Sequence, residues 1–125
     1  MHDHTVSIAI VVGDPLVSQD IAGIFAFWQS GSISRIFDSI TQARAVPPDD
    51  FDPMIVFVAA RDGMLELDGQ DFVWLERRRV ITLDLQDTRR FPHWQHLARP
   101  FTQAQVIEAA HRLIEGDGPE RVEAE

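Results

Sequence analysis

The sequence contains no cysteine, no lysine and no tyrosine. Without cysteine there are no disulfides, no thiolate nucleophile and no thiolate zinc site, and the absence suits any redox compartment. Without lysine, all fixed positive charge rests on 11 arginines, against 20 acids, for a net charge of −9. A chain so acidic repels phosphate backbones, which argues against nucleic acid as a partner. Long hydrophobic runs are missing too. Met54–Ala60 and Ile21–Trp28 are the longest apolar stretches, far short of the ~20 residues that span a bilayer. Met1-His2-Asp3-His4 has no basic region leading into an apolar core, so no secretory signal is expected. What remains is an ordinary globular balance, 45% hydrophobic and 25% charged over 125 residues. That excludes collagen-like, low-complexity and wholly disordered chains and allows one domain with one core. The expectation is a cytoplasmic, acidic, single-domain protein without membrane contact.

Apolar runs alternate with helical patterns along the chain. Thr5–Val12 is a short β-branched run, as in a strand buried on both faces. Asp14-Pro15 reads as a helix start, Asp as cap and Pro at the first helical position. Val17, Ile21, Ile24 and Trp28 then follow at helical spacing, and Ser30-Gly31 ends that helix. Ser32–Phe37 is a weaker strand. Ser39-x-x-Gln42 is a capping box for a short helix that Pro47-Pro48 closes. Met54–Ala60 is the clearest buried strand. Asp68 caps a third helix reaching Arg77, and Arg79–Leu83 and Trp94–Ala98 supply two more strands. Thr102-x-x-Gln105 is a second capping box, opening a terminal helix with Val106, Ala109, Ala110 and Leu113 as its apolar stripe. One domain over 1–115 is expected, with 116–125 an acidic, disordered tail.

Strands alternating with helices imply a parallel sheet covered on both faces, joined by right-handed crossovers. Functional groups in such sheets gather beyond the carboxyl ends of the strands. Topology alone therefore selects Gly13 and Asp14, Ala59 to Asp62, Asp84, and Arg99. No glycine-rich loop follows the first strand. In Val12-Gly13-Asp14-Pro15 the acid would face an incoming anion and the proline lacks an N–H, so a phosphate cradle is not built there. No Ser/His/Asp or Cys/His set falls at the strand ends either.

Four segments, His96 to Phe101, Val11 to Val17, Asp52 to Val58 and Leu67 to Phe72, taken together resemble the receiver domain of two-component response regulators. His96-Leu97-Ala98-Arg99-Pro100-Phe101 is similar to that family's fifth-strand ending, with Arg in place of Lys. Val11 to Val17 resembles its first strand and turn, in which acids precede Pro-Leu-Val. Asp52-Pro53 with Ile55–Val58 resembles the strand leading to the phosphoacceptor Asp, and Leu67-Asp68-Gly69-Gln70-Asp71-Phe72 the opening of its third helix. The match covers roughly residues 5–115, in order. The resemblance implies an α/β, flavodoxin-like (CheY-like), doubly wound five-stranded parallel sheet of order 2-1-3-4-5. Only fifteen positions separate Asp84 from Arg99, with Pro92 among them. The helix that the family fits between strands 4 and 5 is therefore expected to be a single turn or missing.

Departures from the family pattern bear on function. Phosphoryl transfer to a receiver requires acids to hold Mg²⁺, a carboxylate nucleophile, a hydroxyl and a cation, because catalysis is positioning and charge neutralisation. Anchoring on Pro15 puts Val12 and Gly13 where the acidic pair belongs; a shift of one residue keeps Asp14 as one acid. Ala59 falls at the phosphoacceptor, and a methyl group is no nucleophile. Asp84 takes the place of the Ser/Thr, and Arg99 that of Lys, two cations that are not interchangeable. The expectation is a non-phosphorylatable pseudo-receiver, not an enzyme, with Asp14, Asp84 and Arg99 as remnants of the site. It would act through contact with a protein partner, or a second copy, in bacterial signalling. Two alternatives stand beside it: a phosphoryl-accepting receiver that uses a displaced acid, Asp62, and a small cofactor binder on the same fold. No cofactor or metal is expected; His93 and His96 straddle a strand start and point to opposite faces. The expected contact surface is Phe91, Trp94, His96 and Phe101, uncovered by the shortened helix. Asp84 is expected to pair with His96, or else Arg99 with Asp14 or Asp84.

Overall fold

The computed structural model describes residues 6–115. The expected acidic tail, 116–125, and the histidines at positions 2 and 4 lie outside them. Five strands form one sheet: β1 (Ser7–Val11), β2 (Ile33–Ile36), β3 (Ile55–Ala59), β4 (Arg79–Leu83) and β5 (Gln95–Leu97). Their order is 2-1-3-4-5 and every pairing within the sheet is parallel. This is the flavodoxin-like arrangement.

The helices begin where local chemistry dictates. Asp14 Oδ1 accepts from the N–H groups of Leu16 and Val17 (2.9 and 3.4 Å), with Pro15 opening α1 (Pro15–Trp28). Helix α1 ends slightly before the expected Ser30, and Gly31, at φ 93°, makes the left-handed turn into β2. Ser39 Oγ caps α2 (Ile40–Ala45) by accepting from Gln42 N–H at 3.0 Å. In α3 (Gly69–Glu76) the capping box is closed both ways: Asp68 accepts from Asp71 N–H, and Asp71 from Asp68 N–H. Thr102 and Gln105 do the same at α4 (Gln103–Glu115).

Pleating sends alternate residues to opposite faces. Ile8, Ile10, Ile55, Phe57, Ile81 and Leu83 pack under α1 and α4; Ala9, Val11, Val56, Val58 and Val80 pack with α2 and α3. Full burial of each such side chain contributes about 1.5–3 kcal/mol for the larger ones. Between β4 and β5 there is no full helix, as the short spacing and Pro92 lead one to expect: a single 3₁₀ turn, Thr88–Arg90, makes the connection. Strand β5 is also shorter than the expected 94–98, because Trp94 N–H turns back to the Phe91 carbonyl (3.2 Å) instead of joining the ladder. Among the described residues no helix is long and apolar enough to cross a membrane.

Candidate functional site

The carboxyl edge of the sheet carries the residues selected by topology. At its centre, Asp84 follows β4 in a left-handed conformation (φ 64°), its N–H bound to the Leu97 carbonyl at 2.8 Å. That turn aims its carboxylate at the end of β5. There Arg99 donates its backbone N–H to Oδ1 (3.0 Å) and its Nε–H to Oδ2 (2.8 Å). The backbone N–H of Arg99 lowers the Asp84 pKa most; the guanidinium adds to this, and together they outweigh partial burial. The pair is partly open to solvent, with side-chain exposures of 31% for Asp84 and 46% for Arg99.

Ala59 ends β3 in register with Leu83 and packs its methyl against the core beneath α1 and α4. Beyond it, Arg61 and Met64 exchange backbone hydrogen bonds (2.8 and 3.0 Å) around a tight turn. Asp62 (φ 54°) and Gly63 (φ 79°) form its tip, with Asp62 exposed. A Cβ on Gly63 would lie 2.5 Å from the Gln86 side chain, whose backbone N–H binds the Gly63 carbonyl at 2.9 Å. The loops after β3 and β4 are thus clipped together. Asp14 is spent on the α1 cap. Of the three expected remnants the structure therefore joins two, Asp84 and Arg99, and leaves Asp14 apart. Among the described residues no three histidine or acidic side chains converge as metal ligands.

Asp84 does not meet His96. Thr82 and His96 are register partners across β4 and β5, so both point to the α3 side of the sheet. His96 Nδ1 lies 2.8 Å from Thr82 Oγ1, and Nε2 lies 2.9 Å from the Phe91 carbonyl. A carbonyl only accepts, so Nε2 carries the proton, and the threonine hydroxyl donates to Nδ1 when the ring is neutral. The ring is a strut that fixes the 3₁₀ connection to the sheet. Over it Phe91 and Trp94 stack face to face (4.4 Å, 6°), with Phe72 of α3 at 6.0 and 6.4 Å.

The four expected surface residues are split as a result. Phe91, Trp94 and His96 share the α3 side. Phe101 is on the other face, 6.5 Å from Phe57 and packed into the core under α4. Thr82 is not among the strand-end positions that topology selects. Its signal was a hydroxyl alternating with Val80 in an otherwise apolar strand, which needs a polar partner when buried.

No family model and no curated protein matches the sequence. Among solved structures, NtrX from Brucella abortus superposes with a TM-score of 0.67 at 19% identity, covering 89% of this chain and 27% of that one. HP1043, an orphan response regulator of H. pylori, superposes with a TM-score of 0.58 at 14% identity, covering 86% and 96%. The chain thus spans only 27% of the length of NtrX. At these identities the likeness is one of fold. The protein has the flavodoxin-like fold that these two structures share.

Proposed function

We propose that the chain is a receiver-like signalling domain that works by protein contact and accepts no phosphoryl group. The observation that carries this reading is the closed Asp84–Arg99 pair beside a β3 strand that ends in alanine. A phosphoryl group arriving there would meet a methyl group in place of a nucleophile. It would also meet a carboxylate in place of a hydroxyl, and a cation already neutralised. The fold shared with an orphan response regulator supports the signalling half of the reading. In this reading the partner is a protein, and the contact surface is the Phe72–Phe91–Trp94 cluster that replaces a helix between β4 and β5.

The test is incubation of wild type and Ala59→Asp with acetyl phosphate and Mg²⁺, read by intact-mass spectrometry. Neither protein is expected to gain a phosphoryl mass, since the added carboxylate in the variant has no acidic pair to bring Mg²⁺ to it. A stoichiometric adduct in either one overturns the reading. If that adduct disappears in Asp62→Asn, the displaced-acid alternative takes its place.

A further inference from the structure

At the opposite, amino-terminal edge of the sheet, arginines gather on a groove of about 1330 Å³ between α3 and the connection from α2 to β3. Arg44 and Phe51 line one wall and Val73, Trp74 and Arg77 the other, with Arg78 and Arg79 at its end. Arg44 is held by Asp71 (2.8 Å) and Asp68 (3.6 Å). Arg78 pairs with Asp52 and lies over Trp74, its guanidinium carbon 4.1 Å from the ring centroid. Its buried Nε has no partner among the described residues. Among the same residues neither Arg77 nor Arg79 has a carboxylate within 4.0 Å. Four guanidinium groups against Asp52, Asp68 and Asp71 leave this place positive in a chain of net charge −9.

Arg79 also fixes where the chain goes next. Its Nε–H donates to the Leu113 carbonyl at 2.9 Å, two residues before α4 ends at Glu115. The segment 116–125 therefore starts beside the end of the groove. It contains Asp117, Glu120, Glu123 and Glu125 against a single Arg121. Ten extended residues reach about 33 Å, whereas the eight residues of α3 measure about 12 Å. Reach is sufficient to follow the groove from end to end. Tethering adds to this, because a short linker holds a segment at an effective concentration in the millimolar range. Weak charge pairs then suffice to populate the contact.

We propose that the acidic segment 116–125 docks along this groove, setting its carboxylates against Arg77 and Arg79 and covering Val73 and Trp74. The contact is a built-in occupant, and any acidic partner peptide reaching this face must displace it. It is independent of the phosphoryl-site reading, since it involves the opposite edge of the sheet.

The absence of native cysteine makes the test direct. A nitroxide placed on the full chain through Ala124→Cys is followed by relaxation of assigned backbone amides. At low salt the amides of Val73, Trp74 and Arg77 are expected to lose intensity at least as strongly as the end of α4. That of Phe27, on the α4 side of the same edge of the sheet, loses less, and that of Leu16, at the carboxyl edge, stays unchanged. The groove amides should recover at about 1 M salt, where the Debye length falls to about 3 Å. They should also recover in a labelled chain carrying Glu120→Gln and Glu123→Gln. Groove amides no more affected than Leu16 and Phe27 overturn the proposal. So does broadening that survives the two substitutions, because charge would then not be what seats the segment.

Discussion

On one face of the sheet, α1 and α4 lie over Ile8, Ile10, Ile55, Phe57, Ile81 and Leu83, and the cover is apolar apart from the buried Ser18 of α1, whose hydroxyl donates to the Pro15 carbonyl within the helix. On the other face, α2 and α3 cover β1, β3 and the start of β4, while the end of β4 and all of β5 are covered differently. There a 3₁₀ turn, a stacked pair of rings and a histidine strut do what a helix does elsewhere. The difference is between non-directional and directional closure. Burial under α1 and α4 scales with area and tolerates small shifts. The strut depends on one hydroxyl, one imidazole and one carbonyl at fixed positions, and tolerates none. A patch built this way keeps aromatic edges partly at the surface, and it is this patch that the proposed contact reading uses.

The largest effect that bears on this comparison is truncation in the two covers. Phe57→Ala is expected to destabilise by about 3–5 kcal/mol, as for a fully buried aromatic in a closed core. Trp94→Ala removes a larger side chain, yet one only half-buried and stacked on a single ring. Its expected cost is about 1.5–3 kcal/mol. Urea unfolding followed by far-ultraviolet circular dichroism gives both values without relying on tryptophan emission. Equal losses would mean that the ring stack is as much a core as the helical face, and the contrast would fail.

A smaller effect isolates the strut itself. Thr82→Val keeps shape and strand preference but removes the donor to His96 Nδ1. The expected loss is about 1 kcal/mol, the net worth of one hydrogen bond. Combined with His96→Ala in a double-mutant cycle, it should show a coupling of at least about 0.5 kcal/mol. Additive losses would show that the two side chains are neighbours and nothing more.

How far these features were legible in the sequence follows the same division. Strands β1, β3 and β4 are visible as β-branched runs because they are buried on both faces, where pattern and propensity agree. The capping residues Asp14, Ser39, Asp68 and Thr102 are legible because their partners lie within three residues. Absence of a full helix before β5 is legible from Pro92 and the short spacing. The strut is not, because Thr82 and His96 meet only through the β4–β5 register, and a shift of one residue would turn His96 to the other face. The expected Asp84–His96 pairing fails for a related reason, whereas the alternative pairing of Arg99 with Asp84 is the one found. A non-glycine residue with φ 64° swings its side chain out of the strand's alternation, and no sequence pattern marks that. Phe101 also lies beyond the reach of pattern, since the path of the chain after Arg99 decides which face it joins. For the candidate site, topology picks the right edge of the sheet, while the pairings across that edge require the structure.

The smallest expected effect concerns the partly exposed ion pair at the carboxyl edge, and it tests whether directional closure extends to that site. Asp84 has its pKa lowered by the Arg99 N–H first and then by the guanidinium. A carboxylate with a lowered folded-state pKa stabilises the fold fully above its ordinary value of 3.8, and loses that contribution as pH falls through the lowered value. Asp71 behaves in the same way: burial alone raises its pKa, but bonds from Arg44, the Asp68 N–H and Thr41 together lower it. The acid limb of the wild-type stability curve thus contains both groups. Subtracting the curve of Asp84→Asn cancels the share of Asp71 and leaves that of Asp84. Because the pair is partly exposed, its contribution at neutral pH should be below about 1 kcal/mol and should shrink further with salt. Urea unfolding from pH 7 down to about pH 3, below the ordinary aspartate range, measures the difference. The variant should be slightly less stable at neutral pH and should converge on wild type as the pH falls. Parallel curves across that range would show that Arg99 contributes nothing through the Asp84 charge. The β4–β5 junction would then be held by backbone bonds alone.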